Sequence, residues 1–314
     1  MKTETLLVAS QFDGTPLSIL LTLPEETPRA LVQFSYGMSE YKERYLPFME
    51  FLTAQGFACV INDHRGHGHS VRSERDLGWF GAKGQGAEGI LQDLRQVTEL
   101  FTARFPGLPL LLFGHSMGSL AARCYARRWD DRLDGLIVCG CPGYNPGVTF
   151  GRAYCHMLTA LGAQKHKSPL LASLMFGTFN RMAGGHGLNG WICRDPATVA
   201  AYNKDPLCGF VFTINGFESL FDLMVECYSD SGWQMANPSM PIHFISGGDD
   251  PCRVSDARFA AAGEHLRRRG YRQVTQKLYP GLRHEILNEG EMQVWRDAAD
   301  TLLGFTGAPA EPLR

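Results

Sequence analysis

Leu110-Leu111-Leu112-Phe113-Gly114-His115-Ser116-Met117-Gly118-Ser119-Leu120-Ala121-Ala122 is an apolar run that breaks on a G-x-S-x-G pattern and resumes as a helix-forming run. Pro109 to Phe113 is short and wholly apolar, as a strand buried on both faces of a sheet is, and Leu120 to Trp129 has helical composition. Ser116 therefore stands at a strand-to-helix turn, the nucleophile-elbow pattern. Gly114 and Gly118 carry no Cβ, so strand and helix can approach each other while the strained turn exposes the Ser116 hydroxyl. The N–H of Met117, at the positive end of the following helix, is available to an oxyanion.

A serine hydroxyl is a poor nucleophile at neutral pH and needs a base within hydrogen-bond reach, itself oriented by a carboxylate. The elbow pattern predicts that they follow in the order acid, then histidine. Pro241 to Ser246 reads as a buried strand and ends in Gly247-Gly248-Asp249-Asp250-Pro251, which puts an acid at the carboxyl end of a strand, where open α/β sheets build their sites. Asp250 is preferred to Asp249 because Pro251 fixes the chain just after it. Val274 to Tyr279 reads as the last strand, and in the loop Pro280-Gly281-Leu282-Arg283-His284-Glu285 the base is His284.

With 314 residues, 44% of them apolar, the chain can bury a large core, in one enlarged domain or two unequal ones. A net charge of −2 gives no reason to expect a nucleic-acid partner. Residues Met1 to Val8 contain neither a secretory signal nor an apolar stretch of bilayer length. Nine cysteines, an odd number without paired zinc spacing, read as reduced and cytoplasmic.

Residues 4 to 23 alternate around Asp13-Gly14, a hairpin signal. Leu31 to Ser35 is the first buried parallel-type strand, and the loop beyond it, Tyr36 to Glu40, should pass close to the elbow and supply a second oxyanion N–H from Met38. Tyr45 to Gln55 reads as an amphipathic helix closed by Gly56, and Phe57 to Ile61 as the next strand. His64, His67 and His69 crowd six residues after it. They read as a connecting loop rather than a metal site, because no cysteine or further carboxylate cluster converges on them in sequence. Gly78 to Gly89 is glycine-rich, but no G-K-[ST] follows, so it reads as a loop and not as a phosphate cradle. Ile90 to Phe105 is a helix with one core face, and Leu133 to Cys139 a strand.

Strand and helix then stop alternating. Residues 142–238 read as a helical lid inserted between a first core part, 1–141, and a second, 239–306, with helices over His156 to Gly162, Ser168 to Phe179, Ala197 to Asn203 and Phe217 to Tyr228. Its Met157, Leu158, Leu161, Leu170, Leu171, Leu174, Met175, Phe176 and Phe179 favour an apolar substrate such as an acyl chain, and make peripheral membrane contact an expectation. Helices follow over Val254 to Arg269, whose terminal arginines complement the helix dipole before Gly270, and over Ile286 to Phe305; residues 307–314 form a frayed tail.

Several segments together resemble one family: Tyr36-Gly37-Met38-Ser39-Glu40-Tyr41 with Arg44-Tyr45, Asp63 to Ser70, Gly114 to Gly118, Asp205-Pro206-Leu207-Cys208-Gly209-Phe210, Gly248 to Pro251 and Tyr279 to Glu285. The chain is similar over nearly its whole length to the α/β-hydrolase family of lysophospholipases and monoacylglycerol lipases, also labelled serine aminopeptidase S33 or hydrolase-4. The resemblance implies a mostly parallel sheet flanked by helices, with a helical cap. It implies a triad of Ser116, Asp250 and His284, an oxyanion hole from Met38 and Met117, and no metal or cofactor. In the monoacylglycerol-lipase branch a Glu and an Arg after the oxyanion glycine help place the glycerol, which implies Glu40 and Arg44 here, unless that pair merely pins the loop. Tyr36-Gly37 departs from the family's usual His-Gly, which bears on head-group preference and not on the backbone donor. Cys252 falls beside the acid, where related lipases can carry a thiol open to modification. The expected activity is ester hydrolysis of single-chain lipids. A carboxylesterase, thioesterase or aminopeptidase on the same triad, and a non-catalytic binding scaffold, are the alternatives.

Overall fold

The computed structural model describes residues 1–82, 84–182 and 187–307, so all but the first residue of the expected tail lies outside the described residues. In chain order the elements are β1 (Lys2–Ala9), β2 (Pro16–Leu23), β3 (Ala30–Ser35), α1 (Leu46–Ala54), β4 (Phe57–Asn62), α2 (Gly86–Arg104), β5 (Leu110–His115), α3 (Met117–Trp129), β6 (Gly135–Cys139), α4 (Gly147–Ala160), α5 (Pro169–Met182), α6 (Pro196–Lys204), α7 (Ile214–Cys227), β7 (Ile242–Gly247), α8 (Asp256–Arg269), β8 (Val274–Tyr279) and α9 (Met292–Phe305). The strands form one sheet in the order β1-β2-β4-β3-β5-β6-β7-β8. From β4 to β8 every neighbouring pair is parallel; β2 runs antiparallel to both β1 and β4.

The apolar runs behave as period-2 side-chain geometry requires. On β5, Leu110 and Leu112 enter the core that holds α2, α3, α7 and α8, while Leu111 and Phe113 enter the one that holds α1 and α9. The sheet is thus buried on both faces, and its strand ends open onto loops. Among the described residues no helix is long and apolar enough to cross a membrane.

Three helix starts differ from the sequence reading by four residues or more. α2 begins at Gly86, inside the stretch expected to be a loop, because the glycines there serve close packing. A Cβ on Gly89 would stand 2.2 Å from the Arg65 Cζ, and one on Gly86 2.1 Å from the Ser219 Oγ. α4 begins at Gly147, nine residues ahead of expectation. It is anchored by Val148, Cys155 and Thr159, which share one helical face, and it packs on α7. α9 begins only at Met292, because residues 286–291 form a loop in which Ile286 and Leu287 turn into the core and Trp295 Nε1 donates to the Leu287 carbonyl. α7 is almost wholly buried and packs on α2 and α3, so the 140–241 insertion is rooted in the core by this helix.

Candidate active site

The elbow is held by two close approaches. A Cβ on Gly114 would meet the Ala122 Cβ at 2.7 Å, and one on Gly118 the Ser35 carbonyl oxygen at 2.0 Å, so β3, β5 and the first turn of α3 fit together only with glycine at both positions. Between them Ser116 takes φ 52° and ψ −120°, a strained conformation for a residue with a side chain. Its N–H donates to the Cys139 carbonyl at 3.0 Å and its own carbonyl accepts from Ser119. The backbone is therefore pinned on both sides while the residue stays half-buried.

The Ser116 Oγ lies 2.8 Å from His284 Nε2, and His284 Nδ1 lies 2.9 Å from Asp250 Oδ2. Asp250 also accepts from the Ser246 hydroxyl at 3.0 Å and from the Cys252 N–H at 2.8 Å. Asp249 is exposed, so of the two adjacent acids it is Asp250 that the turn before Pro251 aims at the imidazole. Burial works against charge on both partners, but each holds the other: His284 keeps the Asp250 carboxyl below its usual range, and Asp250 raises the His284 imidazole above its own.

Loop 36–40 lies directly against the elbow, since a Cβ on Gly37 would stand 3.1 Å from that of Ser116. The Gly37 N–H is taken by Glu40 Oε1 at 2.7 Å and the Ser39 N–H by His67 Nε2 at 3.2 Å. Between them the Met38 N–H has no acceptor among the described residues, and neither has the Met117 N–H, at a helix position without an intrahelical partner. Tyr36, which replaces the histidine of the resembling family, donates its hydroxyl to buried Asp63 at 3.0 Å and so ties this loop to the histidine-rich one.

Glu40 and Arg44, expected as glycerol contacts, are both engaged by protein partners. Glu40 Oε2 accepts from Arg44 Nη1 at 2.6 Å, and Oε1 is shared by the Gly37 N–H and the Tyr45 hydroxyl. Arg44 also forks onto Glu285 at 2.8 and 2.6 Å and stacks over Tyr202. Burial opposes ionisation of Glu40, yet the nearby His115 ring, Arg44 and the Gly37 N–H outweigh it and hold the carboxyl at about 2. Ion pairing this dense pins the loop.

Trp191, Glu285 and His115 had no functional place in the sequence reading. The Trp191 ring sits 4.9 Å from that of His284 and is stacked on Phe176, a side chain of α5, so the insertion walls the base with aromatic surface. A tryptophan in an irregular segment carries no periodic signal that could have announced this. Cys252 is buried, and burial raises its thiol well above the ordinary value. Among the described residues Asp250, Cys252 and His284 form the one grouping of metal-competent atoms, within 4.8 Å of each other, and its imidazole and carboxylate already bond to one another. Of the three loop histidines, His64 faces Ser35 and His67 accepts from Ser39, while His69 is exposed.

A strained strand-to-helix serine, with acid and base following at the ends of two later strands of a mostly parallel sheet, defines the α/β-hydrolase class. The chain belongs to the family Serine aminopeptidase, S33 (Hydrolase_4), whose pattern matches residues 26–291. It is 25% identical over 283 residues to the monoacylglycerol lipase of Mycolicibacterium smegmatis, covering 87% of this chain and 88% of that one. It is 24% identical over 277 residues to the human monoglyceride lipase, at 88% and 82% coverage. A thermostable carboxyl esterase from Bacillus coagulans, solved in complex with glycerol, superposes with a TM-score of 0.88 at 27% identity and covers 98% of this chain and 99% of its own.

Proposed function

We propose that this protein hydrolyses monoacylglycerols, through an acyl-enzyme on Ser116. The observation that carries the reading is the Ser116–His284–Asp250 line, with bonds of 2.8 and 2.9 Å and two uncommitted amides flanking the serine. His284 Nε2 takes the Ser116 proton as Oγ attacks the ester carbonyl, and Asp250 holds the imidazole through Nδ1 and stabilises the imidazolium. The carbonyl oxygen, now negative, lies against the N–H groups of Met38 and Met117. His284 then protonates the leaving glycerol oxygen. Water, deprotonated by the same imidazole, attacks the acyl-enzyme and releases the fatty acid and free Ser116.

The substrate class draws support from the named lipases that the chain resembles and from the glycerol complex of the esterase. The aromatic wall of Trp191, Phe176 and Phe179 supports it too, since an acyl chain buries well against such a surface. The insertion acts as a lid over this cleft. Phe150, Met157 and Leu161 on or just after α4 and Leu170, Leu174 and Met182 on α5 are exposed, an apolar face suited to shallow contact with a lipid surface. All nine cysteines are free thiols, which suits a reducing, cytoplasmic setting.

The test is release of fatty acid from a monoacylglycerol and from a lysophosphatidylcholine of equal chain length, with Ser116→Ala in parallel. Faster turnover of the glyceride, abolished in Ser116→Ala, supports the reading; full activity in that variant overturns it. Liposome co-sedimentation that survives Leu161→Ser with Leu174→Ser would remove the membrane-contact element.

A further inference from the structure

Six residues form a closed ring of polar contacts behind the elbow. The carbonyl of His284 accepts from His115 Nε2 at 3.3 Å; His115 Nδ1 lies 2.8 Å from the Tyr45 hydroxyl, which lies 3.1 Å from Glu40 Oε1. Glu40 Oε2 is bound by Arg44, and Arg44 forks onto Glu285, the residue peptide-bonded to His284. A carbonyl can only accept, so His115 Nε2 donates to it, and the single proton of the Tyr45 hydroxyl serves either Nδ1 or Glu40 Oε1 at one time. Three loops meet in this ring: the elbow through His115, the 36–45 segment through Glu40, Arg44 and Tyr45, and the base loop through His284 and Glu285.

From this closure we infer that Glu285 is a positioning residue of the ester hydrolysis proposed above: it fixes the base loop and the Met38 amide relative to one another through Arg44 and Glu40. The inference rests on that reading of the site. The loop carrying Met38 has no regular structure of its own between β3 and Lys42, and its conformation is set by side chains. Glu40 Oε1 receives the Gly37 N–H, one residue from the Met38 donor. Glu40 can remain a buried carboxylate only if it is paired, because an unpaired buried charge costs several kcal/mol. Arg44 provides that pair, and Glu285 fixes where Arg44 stands with a two-pronged grip that a single point charge would not impose. Asn288 in turn donates to Glu285 Oε2 at 2.9 Å, so the carboxylate has one orientation. Oxyanion stabilisation demands a donor within about 3 Å of the developing charge. A shift of about 1 Å in a supporting contact is enough to cost a factor of ~100 in rate.

Glu285→Gln keeps the shape of the side chain and removes its charge. In p-nitrophenyl butyrate hydrolysis we expect kcat to fall about 10- to 100-fold with KM within about threefold, the pattern of a defect felt mainly in the transition state. Glu285→Asp, which retains the charge on a shorter stem, is expected to recover part of the rate. The acid limb of kcat/KM should move to lower pH in Glu285→Gln, because a negative charge beside His284 is lost. The other groups facing that imidazole are Asp250, Glu40, Cys252, His115 and Trp191, and the substitution removes none of them. Phosphonylation of Ser116 by a fluorophosphonate should still reach full occupancy, more slowly. Should Glu285→Gln fail to fold, Arg44→Lys tests the same link, since an ammonium cannot grip both carboxylates as the fork does. Wild-type kcat and acid limb in the folded variant, with only the melting temperature lowered, overturn the inference. Activity retained in Ser116→Ala overturns the hydrolytic reading instead, so the two failures are distinguishable.

Discussion

Gly37 and Ser116 touch so closely that a methyl group on the glycine would stand 3.1 Å from the serine Cβ and 2.6 Å from Glu40 Oε1. Both obstacles are themselves fixed, the serine by its pinned turn and the carboxylate by Arg44 and Tyr45. Gly37→Ala must therefore push the loop away from the elbow and carry the Met38 amide with it. Loss of one oxyanion donor costs about 10²–10³ in kcat. That drop is expected in steady-state ester hydrolysis, with KM changed far less; wild-type kcat would show that Met38 is not a donor.

What the sequence disclosed and what it concealed divide along a physical line. β3, β5 and β6 were legible because burial on both sheet faces demands unbroken apolar runs, and the meeting of the Ser116, Asp250 and His284 side chains because each stands at a strand end in a fixed chain order. The first turn of α2 was concealed because its glycines answer to Arg65 and Ser219, residues far away in the chain. Glu285 belongs with these: its partner Arg44 lies 241 positions distant, and no local pattern encodes such a pairing. Glu40 and Arg44 were visible as a motif, but a motif does not disclose the ion pair that they form with each other.

The Asp250–His284 bond sets the pH dependence. Burial alone would lower the imidazole, but Asp250 overrides it, so His284 titrates above the ordinary histidine value of about 6.5. The base must be neutral to accept the Ser116 proton, so kcat/KM should fall with decreasing pH through a midpoint above that value. In Asp250→Asn the raising influence is gone and the tautomer is wrong. The residual activity should be lower by about 10⁴, with its acid limb at lower pH than the wild type. A pH–rate profile of both proteins checks the order of the two midpoints.

Cys252 contributes its backbone to the site, since its N–H binds Asp250 Oδ1 while the thiol is buried and held protonated. Cys252→Ala leaves that N–H in place. Its kcat should stay within about threefold of wild type, the scatter of a small core substitution without a catalytic role. Alkylation of Cys252 by N-ethylmaleimide in the native protein should be slow, as the thiolate is scarce and covered. Rapid labelling, followed by mass spectrometry, would contradict the burial.

Lys42 and Asp63 are both fully buried and meet at 2.8 Å. The Asp63 carboxylate also accepts from the Tyr36 hydroxyl and from the N–H groups of Lys42 and His69, so the pair fastens the Met38 loop to the loop after β4. Lys42→Met removes the cation and leaves the acid among bonds that neutralise no charge, a change that costs about 3–5 kcal/mol for a buried pair. Burial already raises the Asp63 carboxyl, with Lys42 as the chief counterweight, and the variant takes that counterweight away. An acid whose pKa is higher folded than unfolded binds more protons in the native state, so stability is greatest below the unfolded value of about 3.9 and is lost as pH rises towards the folded one. The stability deficit of Lys42→Met should accordingly be largest at pH 8 and shrink at pH 5, where protonation relieves the unpaired charge. Glu43, which also contacts the Lys42 ammonium, is half-exposed and can turn to water, so the pH dependence belongs to Asp63. Urea unfolding of wild type and variant at the two pH values decides it: an equal deficit at both would mean that Asp63 is not the group left charged.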